Sequence, residues 1–169
     1  CEDGRHVNRH TPLDPRAMPR ADTLFDALGS DEWISSIDLA KGYHQITMAP
    51  EDEPKTAFWW RGELYCWRRM NFGWKNACAK FQRVMDVELA AAGVAGRAQA
   101  YLDDVLCHTQ TFADHVTTLA AVFHRFRAVG LRMHPKKCRF GGHEVEFLGH
   151  MVCADGIQPH AAKVQGIVD

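Results

Sequence analysis

The sequence predicts an α+β fold in which an antiparallel sheet is backed by helices. Three observations lead there. The chain has 169 residues, 46% of them hydrophobic and 24% charged, with a formal net charge of −1, which suits one globular domain and excludes a disordered chain. Strand-like stretches and hairpin signals recur along it, together with two long helical patterns. Their order is irregular, without the βαβα alternation of a parallel sheet.

The elements follow in chain order. A short helix is expected from Asp22 to Leu28, closed by Gly29, and a strand from Trp33 to Leu39. His44 to Met48 alternates like a strand, and Thr56–Trp60 and Leu64–Trp67 flank Arg61-Gly62 as an aromatic-rich hairpin. Asn76 can cap a helix with Phe81, Val84, Met85 and Leu89 on one face, ended by Gly93. Thr111 starts another, with His115, Leu119, Val122, Phe126 and Val129 aligned and Gly130 at its end. Between these helices, Ala98 to Cys107 is apolar except for Asp103-Asp104 at its centre. Glu144 to Val152 reads as a strand, Ala154-Asp155-Gly156 as a turn, and Pro159 as the opening of a terminal helix.

Charge is segregated along the chain. From Lys55 to Arg83 the charged residues are Lys55, Arg61, Arg68, Arg69, Lys75, Lys80 and Arg83 against Glu63 alone, and a second run of cations extends from Arg125 to Arg139. Taken alone, such runs are solvated faces; they gain meaning only if a site needs them. No apolar run nears the roughly 20 residues of a membrane span, and the first residues do not read as a signal peptide. An intracellular protein is expected. Six cysteines without a C-x-x-C pair read as reduced, mostly buried thiols. His6 and His10 have helical i, i+4 spacing but lack the companions of a zinc site, so a zinc protein is disfavoured.

Asp103-Asp104 is the most informative dipeptide. Tyr101-Leu102 before it and Val105-Leu106 after it place two carboxylates at the tip of an otherwise apolar hairpin. Adjacent anions in such a setting repel, and both acquire raised pKa values unless a cation holds them ionised. An ordinary acidic turn would account for the pair by itself. Asp38 changes the balance, because it ends a second strand that a sheet could bring to the same tip. Three converging carboxylates suit hard divalent cations. Two such ions roughly 4 Å apart activate an attacking hydroxyl and stabilise a leaving pyrophosphate, so phosphoryl or nucleotidyl transfer is expected.

The segments Ile37-Asp38-Leu39-Ala40-Lys41-Gly42-Tyr43-His44-Gln45-Ile46, Lys55-Thr56-Ala57-Phe58, Met70-Asn71-Phe72-Gly73, Asn76-Ala77, Phe81-Gln82, Tyr101-Leu102-Asp103-Asp104 and Phe147-Leu148-Gly149-His150 match a family in order and spacing. Together they resemble the reverse transcriptase domain of gypsy-type LTR retrotransposons and, more distantly, of retroviruses. The resemblance implies a right-hand polymerase palm with partial fingers. It places fingers and the fingers–palm junction over 1–37 and 44–80, palm over 38–43 and 81–152, and the start of a following region over 153–169. It implies that Asp38, Asp103 and Asp104 are the catalytic, metal-binding triad for two Mg²⁺ ions, with Mn²⁺ a possible substitute. It further implies that Lys41, Gly42, Tyr43, Phe72 and Gly73 meet the nucleotide, with Tyr43 excluding a 2′-hydroxyl, and that Arg5 supports the fingers. Tyr101, Leu102, Phe147, Leu148, Gly149 and His150 are implied to bind primer or template. The implied partners are an RNA or DNA template with its primer, dNTPs, and the thumb, RNase H and integrase of a longer polyprotein, with no membrane.

The sequence departs from that family in places. Asn71 and Cys78 stand where prolines are usual, Trp59-Trp60 where polar or basic residues are common, and Arg68-Arg69 in place of a mostly apolar pair. Loss of the prolines is expected to loosen the turn around Phe72. The leading expectation is an RNA-directed DNA polymerase; the alternative is a decayed or co-opted remnant that only binds nucleic acid or protein.

Overall fold

The computed structural model describes residues 4–16, 18–154 and 156–159. The elements run α1 (Arg5–His10), α2 (Ala21–Asp26), β1 (Trp33–Asp38), short 3-10 helices over Gly42–Gln45 and Glu53–Thr56, β2 (Phe58–Trp60), β3 (Glu63–Tyr65), α3 (Ala77–Ala91), β4 (Ala98–Tyr101), β5 (Asp104–Thr109), α4 (Phe112–Val129), β6 (Arg139–Gly142), β7 (Glu144–Phe147), β8 (His150–Cys153) and β9 (Gly156–Pro159). The chain divides into two compact units: Cys1–Met18 with Lys41–Arg83, and Pro19–Ala40 with Val84–Asp169. We call them the loop unit and the sheet unit.

The sheet unit is built on an antiparallel sheet of order β4-β5-β1-β6. Strand β1 is opposed residue by residue to β5, from Trp33↔Thr109 to Asp38↔Asp104. Because side chains alternate across a strand, this register sends Ser35, Ile37, Val105 and Cys107 to one face and Ile34, Leu106, Asp38 and Asp104 to the other. Helix α4 packs on the first face. It begins at Thr111, whose hydroxyl accepts the Asp114 N–H, and ends at Gly130 in the left-handed region. On the second face, Ile34 and Leu106 join Leu24, Phe25, Leu28, Val145, Phe147 and Val152 in one buried cluster.

A polar network crosses the α4 face. His115 is fully buried, with Nε2 2.6 Å from Ser35 Oγ and Nδ1 3.2 Å from Thr109 Oγ1. Thr109 donates to the Thr111 carbonyl, so its oxygen accepts from His115 Nδ1–H. Nε2 then accepts from Ser35 Oγ–H, and Ser35 Oγ accepts the Gly141 N–H. Every hydroxyl is satisfied with a neutral ring, and burial together with nearby His108 lowers the imidazole pKa.

The loop unit has little ladder of its own. Strands β2 and β3 form a hairpin through Arg61-Gly62, both at positive φ, as the right-handed twist of two-residue hairpins requires. Elsewhere side chains tie the backbone together: Thr56 Oγ1 accepts the Trp67 N–H, and Arg69 donates to the Gln45 carbonyl.

Several expectations are corrected. His44 to Met48 is not a strand: the 3-10 helix Gly42–Gln45 starts it, and only Thr47 forms a bridge, to Arg69. The hydrogen bonds His44 N–H to Lys41 O and Ile46 N–H to Tyr43 O use the donors locally. Glu144 to Val152 is two strands, β7 and β8, because Leu148-Gly149 turns at positive φ. Pro159 ends strand β9; the helix expected after it lies outside the described residues. Val129 is exposed, and Thr118 takes a place on the buried face of α4. Cys107 and Cys138 are buried, whereas Cys66 and Cys78 are exposed, so the thiols are not mostly buried. Residues 19–37 group with the sheet unit, in which β1 is a central strand and α2 seals the core.

Candidate functional site

The sheet register decides where the acids meet. Asp38 is the last residue of β1, Asp104 is the first of β5, and the two are direct cross-strand partners on the same face. Asp103 occupies the two-residue turn between β4 and β5, beside Leu102 at φ 53. A left-handed leucine costs roughly 1–3 kcal/mol. The surrounding ladder holds it there, with Tyr101 opposed to Asp104.

Asp38 is pinned from two sides. The Leu39 N–H donates to the Asp103 carbonyl at 2.9 Å, and the Asp38 carbonyl accepts the His134 N–H at 2.8 Å. Segment 131–138, which follows α4, thereby brings Lys137 Nζ to 3.3 Å from Asp38 Oδ2. Asp103 and Asp104 are half-buried. Burial raises both carboxyl pKa values; Asp104 and Asp38 raise that of Asp103 further, Asp38 raises that of Asp104, and Lys137 opposes both shifts. One carboxylate oxygen, Asp103 Oδ1, is buried without a hydrogen-bond partner.

Among the described residues, no three or more His, Cys, Asp or Glu side chains are already arranged to hold a metal ion. The triad nevertheless offers what a hard cation requires: oxygen donors only, mutual repulsion for a cation to relieve, and one buried oxygen without a partner. Lys137 was not singled out from the sequence. Its signal was the acid-free run of cations it belongs to, whose offsetting carboxylate lies on another strand.

In the loop unit, Tyr43 and Phe72 are brought together. Their rings are 5.1 Å apart at 62°, and Phe81 meets Tyr43 at 5.5 Å and 81°. The Tyr43 hydroxyl lies 3.0 Å from Cys78 Sγ. Lys41 is left-handed at φ 53, and Gly42 is buried at the start of the 3-10 helix. Gly73, at φ 82, has a conformation that side chains disfavour. The turn without prolines is tied by amides. Asn71 Oδ1 accepts the Phe72 N–H, Asn8 Nδ2 donates to the Gly73 carbonyl, and Asn8 Oδ1 accepts the Lys75 N–H. Asn76, at the start of α3, bonds to Pro12 and Asp14. The expected loosening is therefore offset by side-chain bonds.

The Phe147–His150 segment divides in two. Phe147 is only 3% exposed and meets Phe25 edge-on at 6.2 Å, so its ring cannot touch a primer directly. Leu148, Gly149 and His150 form or flank the half-buried turn beyond it, and Tyr101 packs at the margin of the same core. The basic stretch from Lys55 to Arg83 is partly occupied within its own unit: Lys55 pairs with Asp52, Arg68 with Glu53 and Arg83 with Asp14.

A family model described as "Reverse transcriptase (RNA-dependent DNA polymerase)" matches residues 1–152. The chain is 37% identical over 166 residues to the retrovirus-related Pol polyprotein from transposon 297 of Drosophila melanogaster, covering 98% of this chain and 16% of that protein. It is 33% identical over 165 residues to the corresponding polyprotein from transposon gypsy of the same organism, again over 98% of this chain and 16% of the relative. The structure is similar to that of the foamy viral protease-reverse transcriptase in complex with RNA/DNA hybrid, with a TM-score of 0.89 and 26% identity over 99% of this chain and 22% of the other. The chain thus spans only a small part of the proteins it matches.

Proposed function

Because the chain belongs to the reverse transcriptase (RNA-dependent DNA polymerase) family, we propose that it is the palm and partial fingers of an LTR-retrotransposon polymerase. The reaction is addition of dNTPs to a primer 3′-hydroxyl with release of pyrophosphate. The supporting observation is the register that opposes Asp38 to Asp104 beside the buried, unpartnered Asp103 Oδ1.

Asp38, Asp103 and Asp104 would hold two Mg²⁺ ions, with Mn²⁺ as a substitute. When bound, these ions activate the attacking hydroxyl and stabilise the leaving pyrophosphate. The chain's own residues supply the framework. The opposed strand ends fix two carboxylates, the turn presents the third, and Lys137 offsets their charge at Asp38. Tyr43, held by Phe72, Phe81 and Cys78, acts as the steric gate against a 2′-hydroxyl. Lys41, Gly42, Phe72 and Gly73 complete the nucleotide contacts. Tyr101, Leu102, Leu148, Gly149 and His150 serve primer and template, with Phe147 positioning the last three from the core. The loop unit is the fingers portion and the sheet unit the palm.

A relative described in complex with an RNA/DNA hybrid supports template and primer as partners. The polyprotein relatives, of which this chain covers 16%, support a longer chain around it, and we assign thumb, RNase H and integrase to that remainder. No helix among the described residues is long and apolar enough to cross a membrane. We place the protein in a cytoplasmic particle or the nucleus.

The test is extension of oligo(dT) on poly(rA) with Mg²⁺ by the chain within its longer polyprotein. Asp103→Asn should reduce incorporation by about 10³-fold or more. Extension that survives the substitution would refute the mechanism, and a wild-type polyprotein without extension would favour a remnant that only binds.

A further inference from the structure

The β2–β3 hairpin carries large side chains that no core claims. In its ladder Phe58 opposes Tyr65, Trp59 opposes Leu64, and Trp60 opposes Glu63. Opposed residues share a face and neighbours alternate, so Phe58, Trp60, Glu63 and Tyr65 lie on one side and Trp59 and Leu64 on the other. Trp59 is 73% exposed, Trp60 58%, Leu64 59% and Tyr65 47%. Scattered exposed apolar residues are ordinary, but here two three-residue strands expose a pair on each side, Trp60 with Tyr65 and Trp59 with Leu64.

The first side is organised. Phe58 stacks on Tyr65 at 6.0 Å and 27°, and on Trp67 at 5.8 Å and 30°, which fixes three rings in a near-parallel row. At the tip, the Arg61 guanidinium carbon lies 5.6 Å from the Trp60 ring centroid. The stretch from Phe58 to Arg69 carries Arg61, Arg68 and Arg69 against Glu63 alone. A purely apolar partner would bury the Arg61 charge with Glu63 alone to offset it, leaving Arg68 and Arg69 outside any match. Nucleotides match both features, since their bases stack on aromatic rings and their phosphates meet a guanidinium.

We propose that the Trp60–Tyr65 side of this hairpin binds an unpaired strand of nucleic acid, the bases stacking on Tyr65 and Trp60 and a phosphate meeting Arg61. The inference rests on the template-binding reading and assigns to it a surface outside the nucleotide and carboxylate sites. Stacking gives affinity without sequence preference, as a template ahead of a polymerase requires. Glu63, on the same side, weakens the contact and limits how tightly the strand is held.

The test is fluorescence anisotropy of labelled oligo(dT) single strand, and of an RNA/DNA hybrid, titrated with the full chain at low salt. Trp60→Ala and Tyr65→Ala should each weaken single-strand binding by about 5- to 100-fold. Trp59→Ala, on the opposite side, should change it by less than about twofold, and Glu63→Gln should strengthen it. Arg61→Ala should weaken binding and reduce its salt dependence. If Trp60→Ala and Tyr65→Ala bind the single strand as wild type does, this surface is refuted while the template reading stands. If wild type binds neither the single strand nor the hybrid, both fail. Concentration-dependent dimerisation that Trp60→Ala abolishes and oligonucleotide does not compete would assign the surface to a second copy and overturn the proposal.

Discussion

In the sheet unit, Asp38 and Asp104 stand opposite each other because six consecutive pairs of β1 and β5 are in register. In the loop unit, Tyr43 and Phe72 meet because individual side chains hold turns in place: Asn8 on Gly73 and Lys75, Asn71 on Phe72, Thr56 on Trp67 and Arg69 on Gln45. A ladder distributes the constraint over many backbone bonds, so no one of them is decisive. A side-chain clamp concentrates it in a single residue, so one substitution frees a turn. The strand ends that carry Asp38 and Asp104 are therefore less sensitive to single substitutions than the turn around Phe72.

The largest expected effect sharpens what the ladder stabilises. Asp103→Asn should reduce primer extension by about 10³-fold or more, yet raise the melting temperature of the metal-free chain. The sign follows from the raised pKa. An Asp103 carboxyl raised from its ordinary value by burial takes up protons more readily folded than unfolded, so stability falls as pH rises through the folded value. At neutral pH the charge is a cost, which the amide removes. Calorimetry with and without Mg²⁺ checks this: Mg²⁺ should stabilise wild type more than the variant, and equal stabilisation of both would count against Asp103 as a ligand.

Next comes the core beneath the carboxylates. Ile37 is 1% exposed, and Ile37→Ala should cost about 2–5 kcal/mol in urea unfolding. A loss below about 1 kcal/mol would show that the ladder alone, without packing, holds the strand ends.

The buried network gives an intermediate effect with a pH signature. His115 has a lowered pKa, so the unfolded chain takes up its proton first, and its contribution is lost as pH falls below about 6.5, the ordinary imidazole value, toward the folded one. His115→Asn should cost about 1–3 kcal/mol at pH 7.5 and flatten the decline between pH 7.5 and 5.5. Denaturation midpoints at the two pH values measure both, and a parallel decline in wild type and variant would exclude His115 as its source.

The smallest effect tests the clamps directly. Asn8→Ala removes both bonds to Gly73 and Lys75 and should cost only about 1–2 kcal/mol globally. Hydrogen exchange at the Lys75 amide should accelerate, with the β5 amides unchanged. Acceleration in β5 as well would mean that the loop unit is not constrained by local clamps.

Much of the fold was legible because local rules produce it. Thr111 and Gly130 bound α4, Arg61-Gly62 turns a hairpin, and Asp103-Asp104 interrupts an apolar pair of strands. Where the reading failed, a local bond outweighed a pattern. His44 to Met48 alternates, yet the His44 and Ile46 N–H groups turn back to Lys41 and Tyr43, and only the Met48 N–H reaches across, to the Arg68 carbonyl. Leu148-Gly149 turns the chain although a leucine at positive φ is an uncommon turn former, so the residue types carry no turn signal there. Phe147 is core because α2 and the β7–β8 pair meet at its ring.

Residue types and spacing by themselves determined the chemistry available to this protein: one carboxylate at the end of a strand, two more at the tip of an apolar hairpin, a tyrosine five residues after the first, and family motifs in order. Only the tertiary structure decided which charges share a site. Asp38 and Asp104 are far apart in the chain and face each other through one strand register, and Lys137 reaches Asp38 from a segment without acids. Coulombic coupling depends on distance through space, and that distance is set by the ladder and the core packed against it.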